Sequence, residues 1–176
     1  NTNPSIAAVP ETGGWVIAFQ ANTGELWTVS PQGTGSSSYG MAPNTSPSIA
    51  GVPGQGFVYA FQANTGELWV GTRAGASSTA LGMKVSTSPS IAAVTRFGWA
   101  LAFQANTGML WSYSPQGGAD WQLGMRERTS PVMRGRSDGG FTIGFEANTG
   151  NLWKATQDGG VDTSLGMKVG TSPSGT

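Results

Sequence analysis

A chain of 176 residues with no cysteine and no histidine excludes a disulfide framework, a thiol nucleophile, histidine-dependent catalytic triads and the usual zinc sites. Charged residues make up only 10%, nine basic against nine acidic, so little is offered to a nucleic-acid backbone, which is bound by charge neutralisation. Nothing approaches the ~18 consecutive apolar residues of a membrane span, and 38% hydrophobic residues suffice for a core.

In chain order, residues 4–9 read as a first strand bounded by Pro and Gly. Residues 15–20 alternate bulky with smaller side chains and read as a second strand, and residues 26–29 as a third. Between them lies Asn22-Thr23-Gly24, where Gly takes the positive φ of a short hairpin loop. A Gly- and Ser-rich stretch, residues 32–38, leads to a short, weaker extended piece at 39–41.

The same pattern then returns. Phe-Gln-Ala-Asn-Thr-Gly starts at Phe19, Phe61 and Phe103, and Phe-Glu-Ala-Asn-Thr-Gly at Phe145, at intervals of 42 residues. Leu-Trp recurs at Trp27, Trp69, Trp111 and Trp153, and Gly-Met at Gly40, Gly82, Gly124 and Gly166. The chain therefore reads as one repeat domain, residues 1–176, with units 4–46, 47–88, 89–130 and 131–172, and with 173–176 opening a fifth.

Three clear strands and one weaker one per unit predict an all-β fold, a β-propeller of four ~42-residue blades. One face of the second strand is bulky (Trp15, Ile17, Phe19) and the other small (Val16, Ala18, Gln20). Both are uncharged, which suits sheets stacked in series, large face over small. Four blades make either a closed four-bladed ring or half of an eight-bladed ring completed by a homodimer. A β-prism or sandwich is the competing architecture.

The fourth unit departs from the others. It carries Met133-Arg134-Gly135-Arg136 where they have Ile-Ala-Ala-Val or Ile-Ala-Gly-Val, and Glu146 replaces Gln. Arginines in a dry interface need partners, and Glu146 on the neighbouring strand is the expected one. This unit reads as an end blade facing solvent, with a subunit contact or an altered ligand site as the alternative.

Catalysis finds no support in the spacing. The residue after the loop Gly is Glu25, Glu67, Met109 and Asn151, so no carboxylate is shared by all units there. Asp120, Asp138, Asp158 and Asp162 cluster late, read as lacking a fixed repeat position, and give no facing pair of the kind a glycosidase needs. No metal and no cofactor is expected. What recurs is an aromatic with amides: Gln20, Asn22 and Trp27; Gln62, Asn64 and Trp69; Gln104, Asn106 and Trp111; Asn148 and Trp153. Packing alone accounts for the Trp residues. Sugar binding accounts for the combination, because a ring packs on pyranose C–H groups while amides pair with hydroxyls. Repetition then adds avidity.

The order Ser-Pro-Ser-Ile-Ala, Gly-flanked aromatic strand, Phe-Gln-Ala-Asn-Thr-Gly-Glu-Leu-Trp and Gly-Met resembles tandem repeats of secreted actinobacterial proteins, including haemagglutinin-like ones. It is similar, more distantly, to the repeats of bacterial fucose-binding seven-bladed propeller lectins, and it shares Gly-x-Leu-Trp with tectonin and tachylectin repeats. The resemblance spans residues 4–172, with four units in place of seven. It implies a secreted, multivalent lectin with shallow sites between blades, acting on cell-surface glycans or polysaccharides, without nucleic acid or membrane insertion. A structural or protein-interaction propeller module, cut from a larger secreted protein or engineered, is the alternative.

Overall fold

Alternation of side chains and a turn every few residues make each unit a sheet of its own. The computed structural model describes residues 2–175. The first unit forms β1 (Ser5–Val9), β2 (Gly14–Gln20), β3 (Glu25–Ser30) and β4 (Gly33–Gly40). The second forms β5 (Ser48–Val52), β6 (Gly56–Gln62), β7 (Glu67–Thr72) and β8 (Gly75–Gly82). The third forms β9 (Ser90–Val94), β10 (Gly98–Gln104), β11 (Met109–Ser114) and β12 (Gly117–Gly124). The fourth forms β13 (Val132–Gly135), β14 (Phe141–Glu146), β15 (Asn151–Thr156) and β16 (Gly159–Gly166). Among the described residues each set is one antiparallel meander, which makes four separate four-stranded blades. A single prism or sandwich is thereby set aside.

The Gly in each Ala-Asn-Thr-Gly loop has φ between 84° and 88°, as the hairpin requires. The fourth strand is longer than the sequence suggests. It spans eight residues and starts inside the Gly- and Ser-rich stretch, because pairing with β3 overrides weak strand propensity. A bulge interrupts that pairing between Glu25 and Trp27, where Ser38 takes φ 57° and the Ser37 hydroxyl donates to the Leu26 carbonyl at 2.7 Å.

The blades stack as the two-faced strands predict. Small residues of the first blade (Ala7, Val16, Ala18) share one cluster with large ones of the second (Ile49, Tyr59, Phe61). Inner strands pack in series, β1 on β5, β5 on β9 and β9 on β13, and together line an axial cavity of about 420 Å³. At the first and third joints the approach is so close that a Cβ on Gly51 or Gly135 would overlap the carbonyl oxygen of Ala8 or Ala93. The hydroxyls of Ser5, Ser48 and Ser90 accept from the N–H groups of Ile49, Ile91 and Met133, at 2.9–3.2 Å. A second set runs along the Thr-Ser-Pro turns, with the N–H groups of Ser46, Ser88 and Ser130 donating to Ser88, Ser130 and Ser172.

Both ends of the series are uncovered. Ile6 is 64% exposed where Ile49, Ile91 and Met133 are at 5–6%. At the other end Leu165 is equally exposed, at 64%.

Glu146 does not pair with Arg134 or Arg136, contrary to expectation. The ladder between β13 and β14 begins at Val132 opposite Gly144, so Glu146 lies beyond the end of the neighbouring strand. Its fully buried carboxylate instead accepts from Arg126, on the preceding connector, at 3.2 Å. Arg136 pairs with Asp138 at 2.6 Å, while Arg134 is exposed at the axial cavity.

Candidate functional site

The recurring glutamines are spent on the fold. The amide nitrogens of Gln20, Gln62 and Gln104 donate at 3.1–3.3 Å to two successive carbonyls of the connector leaving their blade: Met41 and Ala42, Met83 and Lys84, Met125 and Arg126. Gln62 and Gln104 are buried, and their side-chain oxygens have no hydrogen-bond partner among the described residues.

The asparagines stand apart from these amides. Asn22, Asn64, Asn106 and Asn148 are exposed on the hairpin loops. The last three lie against Gly40, Gly82 and Gly124 of the preceding blade, so near that a Cβ there would press on the amide nitrogen. That contact explains the Gly of the recurring Gly-Met pair. Trp27, Trp69, Trp111 and Trp153 are half-buried beside Phe19, Phe61, Phe103 and Phe145, to which they are paired across the ladder. All four indole N–H groups are buried without an acceptor among the described residues, a repeated exception to the rule that buried donors are paired.

Three grooves open where one blade meets the next. Between the second and third blades Asn106, Thr107 and Trp111 face Leu81 and Gly82 across about 130 Å³. Here the structure brings together an asparagine and a tryptophan that the repeat singles out, without Gln104. The other two grooves lie further out on the blades. Between the first and second, Thr28, Ser36, Ser37 and Tyr39 face Phe57, Thr72 and Arg73 over about 390 Å³. Between the third and fourth, Phe97, Ser112, Ser114 and Trp121 face Phe141 and Gln157 over about 300 Å³. These two occupy the same place in the repeat, and both have the size of small-ligand sites.

Each offers an aromatic ring, Phe57 in one and Trp121 in the other, beside hydroxyl and amide groups, and the first adds the cationic Arg73. Phe57 and Phe141 are the same repeat position, and Trp121 stands edge-on to Phe141 with centroids 6.0 Å apart. The Trp121 indole donates to the Ser112 hydroxyl at 3.0 Å, which fixes its plane. On the other side the Tyr39 hydroxyl accepts from the Ala76 N–H at 3.2 Å. Burial, and then the neighbouring Tyr39, push the Tyr59 phenol up to about 12, so it is a neutral donor at any physiological pH.

These groove residues were not among the recurring amide and Trp set. Their signal lay in the aromatic opening the second strand, Trp15, Phe57, Trp99 and Phe141, which reads as packing when the sequence is taken alone. Trp99 and Phe141 do pack, at 8% and 6% exposure, whereas Phe57 is half-buried. The hydroxyls across each groove come from another blade and carry no shared motif.

Carboxylates serve local ends. Asp120 and Asp162 do share a repeat position, with Ser36 and Ser78, and correct the reading that the aspartates have none. Asp162 accepts from Asn151 at 3.1 Å, in the place where Ser36 and Ser78 donate to Glu25 and Glu67. The Gly140 N–H, and then Arg136, hold the Asp138 carboxyl below the usual carboxylate range. Among the described residues no group of three or more His, Cys, Asp or Glu side chains is placed to hold a metal ion.

No protein-family model and no curated protein matches the chain. Solved structures do. The Aleuria aurantia lectin AAL, in complex with Fucα1-6GlcNAc, matches with a TM-score of 0.59 at 9% identity, over 84% of this chain and 56% of its own. The SapL1 lectin, in complex with α-methyl fucoside, matches with a TM-score of 0.62 at 13% identity, over 94% of this chain and 64% of its own. BBS1N, in complex with ARL6DN, matches with a TM-score of 0.52 at 10% identity, over 92% and 54%. The chain thus spans between about half and two thirds of the lengths it matches. Its fold is that of the fucose-binding propeller lectins, with four blades present.

Proposed function

We propose that the protein is a multivalent carbohydrate-binding protein, a lectin without catalysis, whose sites are the grooves between blades. The observation that carries this reading is a groove at the same place of the first and third joints, with an aromatic ring beside hydroxyl and amide groups. A neutral saccharide presents to such a groove one apolar C–H face and a rim of hydroxyls. The face stacks on Phe57 or Trp121, and the rim pairs with Thr28 and Thr72, or with Ser112 and Gln157. The smaller groove adds Asn106 and Trp111. That the fold is shared with lectins seen holding fucosides favours a deoxyhexose among the candidates. The sites are weak singly and act together on cell-surface glycans or polysaccharides outside the cell.

A glycan array followed by calorimetry tests this. Millimolar or tighter binding is expected, with Phe57→Ala and Trp121→Ala each weakening one site roughly tenfold or more in affinity. No binding to any saccharide at millimolar concentration overturns the reading.

The shared fold with BBS1N, seen in complex with ARL6DN, supports a second reading, a protein-interaction propeller. It predicts that Phe57→Ala and Trp121→Ala leave partner binding unchanged.

A further inference from the structure

We propose that the groove between the first and second blades takes an acidic saccharide, a hexuronate, its carboxylate held by Arg73 and the Tyr59 hydroxyl and its ring laid against Phe57. This rests on the lectin reading above and adds which class of sugar one groove selects. Behind it stand four residues that depart from the repeat together at this joint and at no other. Tyr39 stands where the other units have Leu81, Leu123 and Leu165, and Tyr59 where they have Ile17, Leu101 and Ile143. Arg73 replaces Pro31, Pro115 and Gln157, and Gly71 replaces Val29, Tyr113 and Ala155. The first three line the one groove. Gly71 makes room for it: it pairs with Tyr59 across the ladder, so close that a Cβ there would overlap the phenol ring.

The polar groups assembled in this way are donors. Tyr59 is 4% exposed and lines the groove, yet its hydroxyl has no hydrogen-bond partner among the described residues. The Tyr39 ring is held against Trp69, with centroids 5.3 Å apart, and its oxygen already accepts from the Ala76 N–H, which leaves its proton for a ligand. Thr72 likewise accepts from the Ala74 N–H at 3.2 Å and keeps a proton to give. Arg73, on the turn between β7 and β8, has five donors and no acceptor. Among the described residues no carboxylate comes within ion-pair distance of it. Glu25 meets the groove at Ser36, whose hydroxyl donates to it at 3.0 Å.

A sugar hydroxyl both gives and takes a hydrogen bond, so it leaves part of such a set unanswered. A carboxylate only accepts, and it pairs with a guanidinium through charge-assisted bonds. A hexuronate carries that carboxylate on a pyranose whose C–H face still lies on Phe57. The third joint makes the contrast. There Leu123, Ile143 and Gln157 hold the places of Tyr39, Tyr59 and Arg73, and an amide that gives and takes suits a neutral sugar. At the middle joint Leu81, Leu101 and Pro115 fill the same places with apolar groups.

Calorimetry with methyl glucuronide against methyl glucoside, and methyl galacturonide against methyl galactoside, isolates the carboxylate, because each pair differs only there. At least one uronide is expected to bind about fivefold or more tighter than its neutral counterpart, an advantage that shrinks as salt rises. Arg73→Gln puts the fourth unit's own residue on an exposed turn and should bring that uronide down to the level of its counterpart. Tyr59→Phe removes a hydroxyl without a protein partner, so it should keep the unfolding midpoint at neutral pH and weaken the uronide several-fold. Arg134→Gln, exposed at the axial cavity, removes the same charge and should keep the preference. Neutral glycosides that bind as well as both uronides, or an Arg134→Gln chain that loses the preference as fully as Arg73→Gln, overturn the proposal and leave the lectin reading standing. Acetate bound as tightly as the uronide overturns the sugar assignment of this groove alone. If no glycoside of either kind binds, the lectin reading falls and the proposal with it.

Discussion

Gln62 and Gln104 each hold two carbonyls of the connector that leaves their blade, and at the same position Glu146 has no N–H to give. Its carboxylate turns to Arg126 instead, and one oxygen stays buried without a partner. Glu146→Gln is expected to restore the tie to the last connector and to raise stability by about 1 kcal/mol. Arg126→Ala leaves a buried carboxylate unpaired and should cost about 3 kcal/mol, most of it recovered when both changes are combined. Denaturant unfolding of the four chains measures the cycle. Tyr59 supplies a pH-dependent counterpart. Its phenol is raised to about 12 by burial, against about 10 in the unfolded chain. Between those values the unfolded state gives up its proton while the folded state keeps it, so stability is intact below pH 10 and falls as pH rises to 12. The loss is at most about 3 kcal/mol, and Tyr59→Phe should flatten that part of the profile.

At the scale of the element, the blade is an unremarkable meander; its inner strand decides how blades meet. Gly51 and Gly135 let a carbonyl of the preceding inner strand approach where a Cβ would overlap it, yet Ala93 occupies the same repeat position in the third blade. The middle joint holds Trp99 where the outer joints hold Phe57 and Phe141. Gly135→Val places a branched side chain against backbone and is expected to cost about 3 kcal/mol or more by forcing the third and fourth blades apart. The unfolding transition should broaden, as the units of a repeat array uncouple. The same change should leave the groove between the first and second blades able to bind, which calorimetry checks.

For the whole molecule, repetition is the source of stability and, on the proposed reading, of multivalent binding. Each blade has uncharged faces that water would leave bare, and only stacking covers them. Stacking leaves a groove at each joint, the first and third at the same place in the repeat, so the proposed sites are held in a fixed relation. Binding to a surface that displays many copies of a sugar should exceed binding to the free monosaccharide by about 100-fold or more, because later contacts are made at high effective concentration. Surface binding measured against sugar density, with Phe57→Ala and Trp121→Ala combined, tests this; the excess should vanish when a single site remains.

The repeat, the strands, the hairpin loops and the order in which faces stack were all legible in the sequence. They depend on period-two alternation and on Gly at fixed places, which are local properties of the chain. The fourth strand was legible only in part, because its Gly and Ser residues extend by pairing with β3. The tertiary structure decided where the grooves lie. Thr28 and Phe57 stand far apart in sequence and meet only because two sheets pack, and the gap between them depends on which side chains fill it. For the same reason only the structure separated the glutamines, locked onto connectors, from the asparagines left at the loop tips. Burial belongs to neighbours in space, and the chain's own order does not name them.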